Sequence, residues 1–237
     1  ATWQDRMRAA PAPPRGNARV IPAAVRQRLR VEGLPLVPVA PALEPVPATN
    51  GDDWTPPTAK HVGTVTHLLL ELIGHQGLAA WPLDSLASRR DFVRQELLVR
   101  GVAPAALEAA ASRVLRAIAN TLASERGRWI FDEGHADRAS ERHYTAALDG
   151  VLVEAVLDRV FVTRDSSGDA GTRWIVDFKT SDPGQAALAT FLAAEQAQYR
   201  DQLERYARVL RLVEDRPIAL GLYFPSCDGW IDWRWDG

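Results

Sequence analysis

The chain has 237 residues, 46% hydrophobic and 24% charged, with a net charge of −2; this excludes a polybasic chain or a disordered polyelectrolyte and leaves a soluble globular domain. Its single cysteine, Cys227, excludes an internal disulfide framework and any cluster held by several thiolates, and favours an intracellular, cytoplasmic setting. No apolar run reaches the ~18 residues of a membrane span, no signal peptide is expected, and a start at Ala1 reads as a piece excised from a longer chain.

Residues 1–57 carry eleven of the sixteen prolines. They read as a Pro-rich linker or strap, with a short helix from Pro22 to Arg30 and an anchoring Trp54-Thr-Pro-Pro end. Residues 58–237 read as the globular domain. His61–Gly74 has a helical period with Val65, Leu68, Leu69, Leu72 and Ile73 on one face and His67 on the other. Asp84 is expected to cap a helix to Val99 that Gly101 stops, and Pro104 to open a third helix running to Ser124. Strands are expected over Arg128–Phe131, Ser140–Leu148 and Val151–Thr163, the last two joined by an Asp149-Gly150 hairpin turn. A central strand Thr172–Thr180, a long helix Ala187–Val213 and strands Ile218–Phe224 and Trp230–Trp235 complete an α+β sheet with helices packed on it.

The chemistry concentrates in the central strand. Side chains alternate along a strand, so Trp174, Val176 and Phe178 share one face while Arg173, Ile175, Asp177 and Lys179 share the other. Only two of the 28 basic residues are lysines, Lys60 and Lys179, and an ammonium is a compact, tunable charge where a guanidinium is not. An ordinary ion pair at an exposed strand end is the plain alternative. One strand earlier, Asp158 is expected to share a face with Leu152, Val156, Val160 and Val162, and Arg159 to point away. Carboxylates of Asp158 and Asp177 converging from adjacent antiparallel strands repel unless a hard cation such as Mg²⁺ joins them; a salt bridge from Asp158 to a helix arginine is the alternative. His67 lies off the apolar face with Gly63 one turn before it, either a ligand or a solvated histidine. His61, His75, His135 and His143 read as surface. Tyr199, Gln202 and Tyr206 line one face of the long helix, suited to phosphates and bases or to the edge of a core. Glu195 and Glu204 read as a solvated face.

In this order, Gly63-x-x-x-His67, Asp158-Arg159, Val176-Asp177-Phe178-Lys179-Thr180 and Tyr199-x-x-Gln202-x-x-x-Tyr206, the motifs resemble the RecB-like nuclease branch of the PD-(D/E)xK superfamily, found at the C-terminus of UvrD-type helicase-nucleases such as RecB and AddA. The resemblance covers about His61 to Phe224. It implies a restriction-endonuclease-like core, a mixed β-sheet flanked by helices, with an N-terminal helical part. It further implies a divalent metal, Mg²⁺ or Mn²⁺, held by His67, Asp158, Asp177 and the main-chain carbonyl of Phe178, with Lys179 as the catalytic lysine. Glu141 matches an acidic position that often precedes the hairpin, and Tyr199, Gln202 and Tyr206 match the DNA path. The implied activity is metal-dependent hydrolysis of DNA, preferably single-stranded or at ends, in repair and recombination beside a UvrD-type helicase. No G-x-x-x-x-G-K-[ST] loop is present to supply an ATPase. A non-catalytic DNA-binding or docking domain on the same scaffold is the alternative.

Overall fold

The computed structural model describes residues 57–148, 150–164 and 170–237; the expected linker, its Pro22–Arg30 helix and the Trp54 anchor lie outside them. Helix α1 spans Pro57–Gln76, α2 Arg90–Val99, α3 Pro104–Ala123 and α4 Glu125–Ile130, followed by strands β1 Ala136–Leu148, β2 Val151–Arg164 and β3 Ala170–Phe178, helix α5 Leu188–Arg211, and strands β4 Ile218–Phe224 and β5 Gly229–Trp235. The five strands form one mixed sheet in chain order. β3 and β4 are parallel and the other neighbours antiparallel. A parallel pair needs a crossover, and α5 supplies it. The protein is therefore α+β, a mixed sheet flanked by helices.

Each sheet face carries its own core. On one face, Val65, Leu69 and Ile73 of α1 and Ile118 of α3 meet Phe161, Trp174, Val176 and Phe178. On the other, Leu203, Ala207 and Leu210 of α5 cover Ile175, Leu220, Leu222 and Phe224. β3 thus alternates as its sequence predicts. β4 is buried at all seven positions, which is why it reads as an unbroken apolar run. Gly150, at φ 78°, takes the left-handed conformation that the β1–β2 turn demands. Among the described residues no helix is long and apolar enough to cross a membrane.

Three local expectations need correction. Arg128–Phe131 is not a strand: it falls in α4 and its C-cap, where the Ser124 hydroxyl accepts the Gly127 N–H at 2.8 Å. A Cβ on Gly127 would lie 2.0 Å from the Thr121 carbonyl, so glycine lets α4 turn tightly against the end of α3. The helix expected from Asp84 begins as a 3₁₀ segment, Leu83–Arg89; Ser85 and Ser88 donate to the carbonyls of Pro82 and Ser85, hydroxyl bonds that compete with regular α geometry. On α1 the buried stripe is Val62, Val65, Thr66, Leu69, Leu70 and Ile73. Leu68 and Leu72 are only half-buried.

Candidate active site

The site forms where the sheet forks. β2 and β3 pair as far as Arg159 opposite Val176. Past that point β2 stays with β1, Leu157 opposite Arg142, while β3 stays with β4 through Phe178 opposite Tyr223. Asp158 and Asp177 are the first residues beyond the last rung. The Asp158 carboxylate fills the gap, accepting the Phe178 N–H at 2.7 Å in place of a strand carbonyl. The alternation of β2 breaks here: Ala155, Leu157 and Val160 all pack into one core. The expected face of Leu152, Val156, Val160 and Val162 therefore does not exist, and Leu152 is 70% exposed. Period-2 reading assumes an uninterrupted ladder, and the ladder stops at Asp158.

Three further segments close on the fork. On α1, a Cβ at Gly63 would lie 2.9 Å from the Thr180 hydroxyl, so the missing side chain lets the helix approach the end of β3. One turn on, His67 Nδ1 lies 3.5 Å from Asp158 Oδ2, and its ring meets Phe178 edge-on at 6.0 Å. On β1, Glu141 has φ 48°, a left-handed conformation that costs a non-glycine residue about 1–2 kcal/mol. On α5, the Lys179 ammonium sits 3.7 Å over the Tyr199 ring, and Gln202 donates to the Tyr206 hydroxyl at 2.8 Å. Lys179 Nζ is 2.8 Å from Asp177 Oδ2.

Ligand-capable atoms of His67, Glu141 and Asp158 all lie within 4.8 Å of one another. Asp177 stands outside this trio, its buried carboxylate paired with Lys179. Burial, then Asp177 and Glu141, hold the Asp158 carboxyl well above the usual range. Burial and the neighbouring Glu71 raise Glu141. Burial lowers His67, assisted by Lys179 and opposed by Asp177 and a backbone contact with Phe178. Carboxyls pushed up by burial and by one another are short of positive charge, which a divalent cation would supply, and an imidazole held neutral is in the form that can ligate it. The donor set, imidazole nitrogen and carboxylate oxygen, fits Mg²⁺ or Mn²⁺. For Lys179 burial lowers the pKa, but Asp177 and Asp158 more than offset it, so the net shift is upward.

Sequence reasoning missed what anchors this cluster. Arg159 is 1% exposed and reaches no carboxylate among the described residues. It donates to the Ile130 carbonyl at 3.3 Å and to the Ser140 hydroxyl at 3.2 Å and lies over the Phe131 ring. Gly74 of α1 packs directly on this pair, since a Cβ there would lie 2.2 Å from Ser140 Oγ. Arg159 thus ties together the neighbours of Asp158, of Glu141 and of the His67 helix. An arginine following an aspartate in a valine-rich strand was the available signal. His135 is not a plain surface residue: it stacks on Phe161 at 4.3 Å and bonds the Trp129 carbonyl, and burial lowers its pKa. Glu195, read as solvated, is half-buried and accepts from Ser181 at 3.1 Å.

Two comparisons bear on this geometry. A family model described as the PD-(D/E)XK nuclease superfamily matches residues 47–228. No curated protein matches the chain.

Proposed function

The chain belongs to the PD-(D/E)XK nuclease superfamily, and we propose that it is a divalent-metal-dependent DNA nuclease that hydrolyses phosphodiester bonds in single strands and at ends. The observation that carries this reading is the fork itself. Asp158, Asp177 and Lys179 meet where β2 and β3 part, with His67 and Glu141 closing over them.

His67, Glu141 and Asp158, with Asp177 and the Phe178 carbonyl, would hold Mg²⁺ or Mn²⁺. Such an ion makes water acidic enough to attack at neutral pH and screens the negative phosphodiester. The remaining work belongs to side chains. The Asp177 carboxylate keeps the Lys179 ammonium charged and fixes its direction. From there Lys179 can hold the attacking water and donate to the phosphoryl oxygen that gains charge as phosphorus becomes five-coordinate. The water's oxygen bonds to phosphorus, one P–O ester bond breaks, and an alcohol and a phosphate monoester leave. Tyr199, Gln202 and Tyr206 line the helix opposite; a base stacked on such a ring is worth about 1–3 kcal/mol.

The order of the motifs from Gly63 and His67 to Tyr206 supports placing the chain in the RecB-like branch. By that reading it works beside a UvrD-type helicase, as part of the same chain or complex, in DNA repair and recombination. The test is cleavage of labelled single-stranded and duplex DNA with Mg²⁺, Mn²⁺ or EDTA, the parent against Asp177→Ala. Metal-dependent shortening of the single strand by the parent alone is the expected result. No cleavage by a folded parent with either metal would reduce the chain to a docking domain on a nuclease scaffold.

A further inference from the structure

The surroundings of His67 are divided by charge. On one side of α1, a cavity of ≈ 420 Å³ is lined by Glu71 and Glu141. Its one arginine, Arg100, is already held by Glu96. On the other side, a cleft of ≈ 960 Å³ runs from His67 and Lys179 past Lys60 and His61 to Arg113, and an adjoining recess of ≈ 240 Å³ adds Arg116. Both lysines of the chain face this cleft. Among the described residues Asp182 is the one acid on its wall, 3.8 Å from Arg113 across a half-exposed gap, a contact too loose to neutralise the side. Arg116 has no acidic partner among the described residues.

We propose that this basic cleft is a strand-binding site in which Lys60, Arg113 and Arg116 hold successive phosphates of a single DNA strand on one side of the bond to be cut, while the other side, lined by Glu71 and an arginine already held by Glu96, offers a phosphate no free cation. The proposal rests on the nuclease reading and adds the direction in which the substrate lies. A polyanion crossing the acidic cavity would meet the Glu71 carboxylate and no free cation, whereas the basic cleft offers cations spaced along a groove that ends at Lys179.

The full chain carrying Arg113→Ala and Arg116→Ala tests this against the parent and against Arg205→Ala/Arg208→Ala, an equal charge change on the exposed face of α5. The probe is a fluorescein-labelled oligothymidylate, titrated without divalent metal over a range of salt. Loss of two phosphate contacts should weaken binding about tenfold or more at low salt and flatten the log–log salt slope by about 1.4, since each contact on a single strand contributes about 0.7. The α5 control should stay near the parent. Equal losses in both double variants, an unchanged slope, or a parent that binds no oligonucleotide would overturn the proposal. Cleavage by the same proteins, measured separately with Mg²⁺ or Mn²⁺ added, reports on the nuclease reading: a parent that binds with the predicted slope yet never cuts with either metal keeps the cleft and loses the nuclease.

Discussion

Asp177 and Lys179 act as one electrostatic unit, the carboxylate holding the ammonium over Tyr199. Asp177→Ala is therefore expected to abolish cleavage while the protein stays folded, because it removes one of two repelling carboxylates and no core side chain; a melting curve and a labelled-oligonucleotide assay check both halves. Lys179→Arg tests the compact charge. A guanidinium placed over the same tyrosine points its donors elsewhere, so turnover should fall more than tenfold, above about 1.4 kcal/mol in the barrier, and near-normal rates would leave Lys179 only an ion-pair partner. His67→Ala should weaken Mn²⁺ binding in calorimetry and leave metal-free melting little changed, because the α1 stripe packs without it. Unchanged metal affinity with a large drop in melting temperature would return His67 to a structural role.

At the scale of elements, the site depends on how α1, β1 and β2 are held together, and Arg159 is the joint. Burial depresses its pKa to about 10, a penalty on the order of 3 kcal/mol on the charged form, which two charge-assisted hydrogen bonds, about 1.5–3 kcal/mol each, offset. The arginine therefore contributes geometry and little net stability. Arg159→Met should melt close to the parent yet lose activity and metal affinity together, while a stability loss of several kcal/mol with intact kinetics would contradict this. Gly74→Ala attacks the same joint by volume. Its Cβ would meet Ser140 Oγ at 2.2 Å, and the displacement should cost about 1–3 kcal/mol in urea unfolding.

Across the whole molecule, Arg173 gathers the start of β1, the start of β3 and the turn after α5. It bonds Glu214 Oε1 at 2.6 Å and the Asp137 carbonyl at 3.2 Å, and pairs with the Asp137 carboxylate. Burial alone would raise Asp137, but its hydrogen bonds to Arg173 and Arg142 prevail and lower it below 3.8. A carboxylate lowered on folding stabilises fully above its unfolded pKa and loses that contribution as pH falls through the folded value. Asp137→Asn should therefore destabilise the protein at pH 7 by about 1 kcal/mol or less, given its exposure, and the gap to the parent should close in acid, below 3.8. A gap that widened on acidification would refute the sign.

Short-range rules carried much of this protein. The alternation of Trp174 to Phe178, the apolar run of β4, the proline that opens α3 and the glycine of the hairpin each depend on a few adjacent residues, and each appears as expected. The two-residue spacing of Asp177 and Lys179 likewise places both on one side of β3, whatever surrounds them. What the tertiary structure alone decided is where β2 and β3 stop pairing. That point is set by β1 and β4 competing for the two strands and by α1 wedged against the end of β3. The fork breaks the period of β2, puts Asp158 on a backbone N–H, and brings Glu141 beside it in a left-handed conformation no local preference would choose. It also buries Arg159 against a glycine more than eighty residues earlier. A sequence window sees neighbours along the chain, and this cluster is made of neighbours across it.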